Sequence, residues 1–219
     1  MYTEQHPFQE FIPENVSSLI VGSFPPIKLT TEINEVKGEN RKFYEKYFEK
    51  NPKTTDLDFY YGSTENTLWN VLSLTFDEDL TSKQKIKTFL TKNLIGITDI
   101  IENCKRTIKN SKIGNEDKDL EIVEFRDVIS TIKKHNIKRV LCTGALVLRL
   151  LKKQDKVMNG KNRLLVNRNV IQLISPSPRA NPPLSKRKDY IEIQRMDPNF
   201  NLMQYRVQKY KEAFQLGQN

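Results

Sequence analysis

Short apolar runs closed by glycine or proline alternate along the chain with longer stretches whose apolar residues recur every three or four positions. Leu19-Ile20-Val21, ended by Gly22, has no polar alternation and predicts a strand buried on both faces. Arg139-Val-Leu-Cys-Thr143 before Gly144 and Asn169-Val-Ile-Gln-Leu-Ile174 read the same way, and Leu94-Ile-Gly-Ile-Thr-Asp-Ile-Ile101 predicts a further strand. Helical spacing joins Leu68, Trp69 and Leu72 within 67–74, and Ile86, Phe89 and Leu90 within 82–93. It also joins Ile122, Phe125, Val128, Ile129 and Ile132 in one amphipathic helix, predicts a helix over 145–152, and marks a closing one through Met203, Val207, Tyr210 and Phe214. Residues 28 to 58 form a polar insert in which Arg41-Lys-Phe-Tyr-Glu-Lys-Tyr-Phe48 predicts a short helix.

Strands alternating with helices imply a parallel sheet with right-handed crossovers and helices packed on both faces. The expected class is α/β: a three-layer α/β/α arrangement around a central, mostly parallel four-stranded sheet, in one domain over 1–219. Ligands of such sheets bind beyond the carboxyl ends of the strands. Two proline turns, Gly22-Ser-Phe-Pro-Pro26 and Ser175-Pro-Ser-Pro178, fall at such ends, which places both on one rim and points to a pocket.

Charge and composition narrow the chemistry. Lys and Arg number 36 against 27 Asp and Glu, a net charge of +9, which attracts polyanions such as nucleic acid; a solvated lysine surface is the plainer reading. Cys104 and Cys142 stand far apart and the only histidines are His6 and His135. A disulfide framework, a Cys₄ or His-based metal site and a Ser-His-Asp triad are therefore not expected, and no cofactor is. The start of the chain lacks the basic and apolar regions of a signal peptide, and no apolar run approaches the ~20 residues that span a bilayer. The expectation is a reduced, cytoplasmic, metal-free protein away from membranes, of undetermined oligomeric state.

No phosphate-binding Gly-x-x-x-x-Gly-Lys-Ser loop or Gly-x-Gly-x-x-Gly fingerprint occurs. Four weaker motifs occur in order instead. They are Gly22-Ser-Phe-Pro25, Tyr61 with Asn66 and Trp69, Gly96-Ile-Thr-Asp-Ile-Ile-Glu-Asn-Cys104, and Ser175-Pro-Ser-Pro178. Together, from about residue 18 to 181, they resemble the uracil-DNA glycosylase superfamily, most closely its mismatch-specific and hypoxanthine/uracil-type branches. The resemblance implies a monofunctional glycosylase that flips a deaminated or modified base from DNA and hydrolyses its N-glycosidic bond. It implies Asn66 as the catalytic, water-orienting residue and Gly22, Ser23, Phe24, Pro25, Tyr61, Ser175 and Ser177 as substrate-binding residues. DNA would meet Pro178 and Arg179, the latter at the tip of a loop filling the vacated stack, with Lys186 and Arg187 on phosphates.

The chain departs from that pattern at named places. Phe24 stands where much of the superfamily has an Asp or Asn to position water; Ser63-Thr64 replaces His-Pro, Glu65 an Arg, Leu68 a Phe and Pro26 the second Gly. No lysine stands in a motif position, so a Schiff-base lyase step is not expected. The residues also have plainer readings. Asn66 is a good helix cap, Phe24 and Tyr61 pack loops, and Ser175 and Ser177 stiffen a turn. Trp69 is core, Asp99 is structural, both thiols are buried and His135 ends a helix. Three alternatives stay open: a catalytically silent DNA-binding module of the same fold, a defence glycosylase acting on hypermodified viral bases, and a domain acting on free nucleosides.

Overall fold

The computed structural model describes residues 2–52, 56–64 and 66–215. After β1 (Glu4–Gln5) the chain enters β2 (Ser18–Gly22), every residue of which is buried. The insert carries α1 (Ile27–Thr30) and α2 (Arg41–Lys50), followed by α3 (Leu68–Phe76) and α4 (Lys83–Lys92). Next come β3 (Ile95–Asp99), β4 (Ile101–Arg106), a two-stranded ribbon of β5 (Ile108–Lys109) and β6 (Lys112–Ile113), and β7 (Leu120–Phe125). Then follow α5 (Val128–Lys134), β8 (Arg139–Cys142), α6 (Ala145–Asn159) and β9 (Asn169–Gln172). The chain closes with α7 (Asn181–Leu184), α8 (Lys188–Met196) and α9 (Leu202–Gln215).

The strands β3-β2-β8-β9 form the expected sheet, parallel throughout. Alternation along β2 explains its two-sided burial. Ile20 faces one layer, where Leu68, Leu72, Ile86, Phe89, Leu90 and Phe214 pack from α3, α4 and α9. Leu19 and Val21 face the other, against Val128, Ile129, Ile132, Val147 and Leu151 of α5 and α6. The class is α/β, with helices on both faces of a parallel four-stranded sheet. Trp69 is core as expected: its ring stacks on Phe59 and its Nε1–H donates to Tyr60 O at 2.8 Å. Cys104 and Cys142 are buried free thiols, and burial pushes both up to about 12.

Two expectations need correction. The helix read through Ile122 to Ile132 is a strand, β7, then a helix, α5, with Asp127 Oδ1 capping the Ser130 N–H at 2.9 Å. Ile122 and Phe125 fall at helical spacing, but Leu120-Glu-Ile-Val-Glu-Phe125 pairs antiparallel with β4, leaving Val123 and Phe125 exposed. The run read as one strand over 94–101 is likewise two. β3 ends at Asp99, and β4 joins an antiparallel sheet of order β1-β4-β7 that the sequence pattern did not show. The insert is more structured than its polarity suggests, because Ile27, Val36 and Tyr44 bury a small core with Ile113.

Candidate functional site

Gly22 and Asp99 are paired neighbours at the carboxyl ends of β2 and β3, and Thr143 follows β8 on the same edge. Beyond this edge lies one cavity of about 740 Å³, within the range of ligand pockets. Both proline corners line it. Ser23, Phe24 and Pro25 come from one, and Ser175, Ser177, Pro178 and Arg179 from the other. Tyr61 and Asn66 also line it, so the expected site residues meet in one place. Lys186 and Arg187 do not: both are exposed outside the pocket, and Arg187 Nε donates to Asp189 Oδ1 at 3.1 Å. Glu65 lies outside the described residues.

Gly22 sits under the floor. A Cβ there would lie 2.0 Å from Asp99 Oδ1 and 2.2 Å from Tyr61 Oη, so the two polar groups approach over bare backbone. Tyr61 is in the left-handed region (φ 54°), an uncommon conformation for a bulky residue. Its hydroxyl donates to Thr143 Oγ1 at 2.9 Å, and burial holds that hydroxyl well above its usual pKa, with the Asp99 charge adding to the effect. The next position is glycine for a steric reason, since a Cβ on Gly62 would lie 1.9 Å from Leu57 O. Phe24 is half-buried, edge-on to His6 and capped by the Arg106 guanidinium 5.8 Å from its centroid.

The N-cap of α3 is Thr67 rather than Asn66, which stands one residue earlier and serves the helix start from there. Asn66 Oδ1 accepts the Leu68 N–H at 2.9 Å, while its amide nitrogen has no hydrogen-bond partner among the described residues. The adjoining Thr67 donates through both N–H and Oγ1–H to Pro176 O, fastening the start of α3 to the second corner. That corner is held from behind by Arg206 of α9, which is buried. Its Nε donates to Ser175 O at 3.1 Å and its Nη2 to Ser177 O at 3.1 Å and Asn181 Oδ1 at 2.8 Å. The serine hydroxyls stiffen the turn, Ser175 Oγ accepting Ser177 N–H and Ser177 Oγ accepting Arg179 N–H. Arg179 reaches across the mouth, Nη1 donating to Asn115 O at 2.6 Å.

Four features of the pocket were absent from the sequence reading. Asp99, read as structural, is 4% exposed and faces the cavity, with Nε2–H of the buried His6 on its Oδ2 at 2.9 Å. Asp117 is exposed to solvent and lines the cavity, with protein walls around it. Desolvation raises its pKa, the Asp99 charge adds to the rise, and the Ser23 Oγ–H donated to Oδ1 at 2.7 Å opposes it. Gly144 to Val147, the start of α6, open on the cavity with no side-chain cap, so first-turn N–H groups are available there. Lys118 stands at the rim, paired with Glu116 at 2.7 Å, and this hydrogen bond raises its pKa, favouring the ammonium form over a nucleophilic amine. Only the third had a local signal, a Thr-Gly-Ala turn after a strand; the others depend on chain segments far apart in sequence.

The fold and site thus define an α/β protein with a cleft of about 740 Å³ at the carboxyl edge of a parallel sheet. No protein-family profile and no curated protein matches the chain. Among solved structures it is similar to the solution NMR structure of a "putative uracil DNA glycosylase" from Methanosarcina acetivorans, at 18% identity over 93% of this chain and 98% of that one, with a TM-score of 0.47. No helix among the described residues is long and apolar enough to cross a membrane, and none of their acidic, His and Cys side chains cluster as a metal site.

Proposed function

We propose that the protein is a monofunctional DNA N-glycosylase that takes one extruded nucleobase into this cleft and hydrolyses its bond to deoxyribose. The observation that carries the reading is convergence: both proline corners, Asn66, Tyr61 and the uncapped start of α6 line a single cavity of about 740 Å³. Breaking the bond separates a sugar cation from a base anion, so the protein's task is to hold fixed dipoles and one water in place. The Asn66 carbonyl oxygen has a second lone pair for that water beyond its bond to Leu68 N–H, and its amide N–H groups are available to the substrate. First-turn N–H groups of α6 suit a flanking phosphate. Phe24, held by His6 and Arg106, is an apolar wall of the cavity for the base to pack on. No lysine stands in any of the four motifs, so hydrolysis without strand cleavage is expected.

The test is base release from duplexes carrying uracil, hypoxanthine, xanthine or substituted cytosines, read by chromatography and by alkaline cleavage at the abasic site. Asn66→Ala is expected to lower release at least a hundred-fold, while the lost bond from Leu68 N–H costs about 1 kcal/mol of stability. No release from any duplex at stoichiometric protein refutes the reading. One observation favours a silent DNA-binding module instead: the Asn66 oxygen is already engaged by the Leu68 N–H. Salt-sensitive DNA binding without any free base would select that alternative.

A further inference from the structure

The excess positive charge of the chain is concentrated in one stretch. From Val128 to Asn169, between the start of α5 and the start of β9, eleven Lys and Arg stand against one carboxylate, Asp155; the rest of the chain has one more acidic than basic residue. Asp155 does not serve them as a counterion. It is buried and accepts the Leu164 N–H at 2.9 Å and the Leu165 N–H at 3.1 Å. Arg149, Lys152, Lys153 and Lys156 of α6 recur every three or four residues, so they share one flank of the helix, and all four are exposed. Val147, Leu151 and Asp155 take its inward side. None of the four cations has an ion pair or a side-chain hydrogen bond among the described residues. Arg149 with Lys153, and Lys152 with Lys156, are like-charged neighbours one turn apart, an arrangement that works against the helix. In the same stretch Lys138 Nζ and Arg168 Nη2 both donate to Asn136 Oδ1, at 2.9 and 3.1 Å, so two further cations share a neutral oxygen.

The ridge begins beside the cleft. Gly144 to Val147, at the start of the same helix, line the cavity, and Arg149 follows two residues later. Lys156 lies about 10 Å further along the axis at 1.5 Å per residue, and neighbours on the flank stand about 5–6 Å apart. Such a row of unpaired cations suits a row of phosphates. We propose that this flank of α6 is a second nucleic-acid contact, a track that holds the phosphate backbone of a DNA duplex outside the cleft. No Phe, Tyr or Trp occurs between 128 and 169, so the stretch has no platform on which unpaired bases could stack. The same lack of rings, with Val157 and Met158 the only large apolar side chains exposed on α6, disfavours insertion into a lipid surface. A duplex asks only for charge at its backbone, where contacts position the protein without reading sequence. The assignment takes DNA as the polyanion from the glycosylase reading and adds a surface that binds undamaged duplex.

The experiment compares two triple variants that remove the same charge. Lys152→Gln with Lys153→Gln and Lys156→Gln strips the ridge. Lys83→Gln with Lys85→Gln and Lys92→Gln removes three cations of α4 that are paired with Asp58, Asp79 and Glu78. Both are titrated across a salt series with an undamaged DNA duplex, with a single strand of the same length, and with vesicles of phosphatidylcholine and phosphatidylserine. The ridge variant is expected to bind the duplex at least about ten-fold more weakly, with the slope of log affinity against log salt reduced by about two to three. The α4 variant is expected to stay within about three-fold of wild type, the share that net charge alone contributes. Equal losses in the two variants overturn the assignment, and so does a ridge-dependent loss that is larger for the single strand or the vesicles than for the duplex. Base release is followed in parallel with protein in saturating excess, where the ridge variant is expected to keep the wild-type rate. Ridge-dependent duplex binding with no base released supports the track and overturns hydrolysis; release with duplex binding that the ridge does not affect does the reverse.

Discussion

At Gly22 a methyl group would stand 2.0 Å from Asp99 Oδ1 and 2.2 Å from Tyr61 Oη, two side chains locked by their own hydrogen bonds. Gly22→Ala is expected to cost about 1–3 kcal/mol by overpacking and to spoil the cleft floor, which urea denaturation and a nucleotide-binding assay would check. Asp117 makes a different prediction at the same scale. Its pKa is raised in the folded protein, so the folded state holds the proton to higher pH than the unfolded chain does. Stability relative to Asp117→Asn is thus expected to fall as pH rises from the usual carboxylate value through the raised one, then to level off. Denaturation midpoints of both proteins from pH 3 to 7 test it, and a difference independent of pH contradicts it. Local signals placed Asn66 at the start of a helix and made Ser175 and Ser177 readable as turn residues. The partners of Asp99 and Asp117 lie 93 and 94 residues away, and nothing local hints at them.

Elements meet at the Glu4–Arg106 pair, where β1 and β4 join. Arg106 Nε donates to Glu4 Oε2 at 2.8 Å, with the two side chains 2% and 0% exposed. Thr30 of α1 and Tyr44 of α2 also donate to this carboxylate, and Arg106 Nη2 donates to Pro25 O at 2.8 Å. One buried ion pair therefore fastens the small sheet, the insert and the first proline corner together. Arg106→Ala leaves Glu4 charged and unpaired and is expected to cost about 3–5 kcal/mol. Glu4→Gln combined with Arg106→Met is expected to recover much of that loss, measured by chemical denaturation. The insert's attachment was illegible because its polar surface hid how few residues carry it. The misread helix had a related cause: five apolar residues at helical intervals do not report that Arg126-Asp127 breaks the run, where Arg126 Nε turns to Glu102 and Asp127 to capping.

For the whole molecule, the excess of 36 basic over 27 acidic residues sets a long-range attraction for polyanions. Under the proposed function, raising salt from 50 to 200 mM is expected to weaken duplex binding roughly a hundred-fold for about four phosphate contacts. A filter-binding or anisotropy titration measures the slope, and a flat one contradicts phosphate-led binding. Lys186→Ala is expected to reduce the slope by about one and to leave the cleft intact, since that side chain lies outside it. What the linear order of residues determined by itself was the layered α/β plan, the buried strands and the two proline corners at their carboxyl ends. Those follow from periodicity and turn chemistry, which act over a few neighbouring positions. Only the tertiary structure decided that Asp99 and Asp117 face the same cleft, and that Arg206 braces one corner and Arg106 the other. Burial and hydrogen-bond satisfaction are properties of segments brought together across the chain, and no local pattern records them.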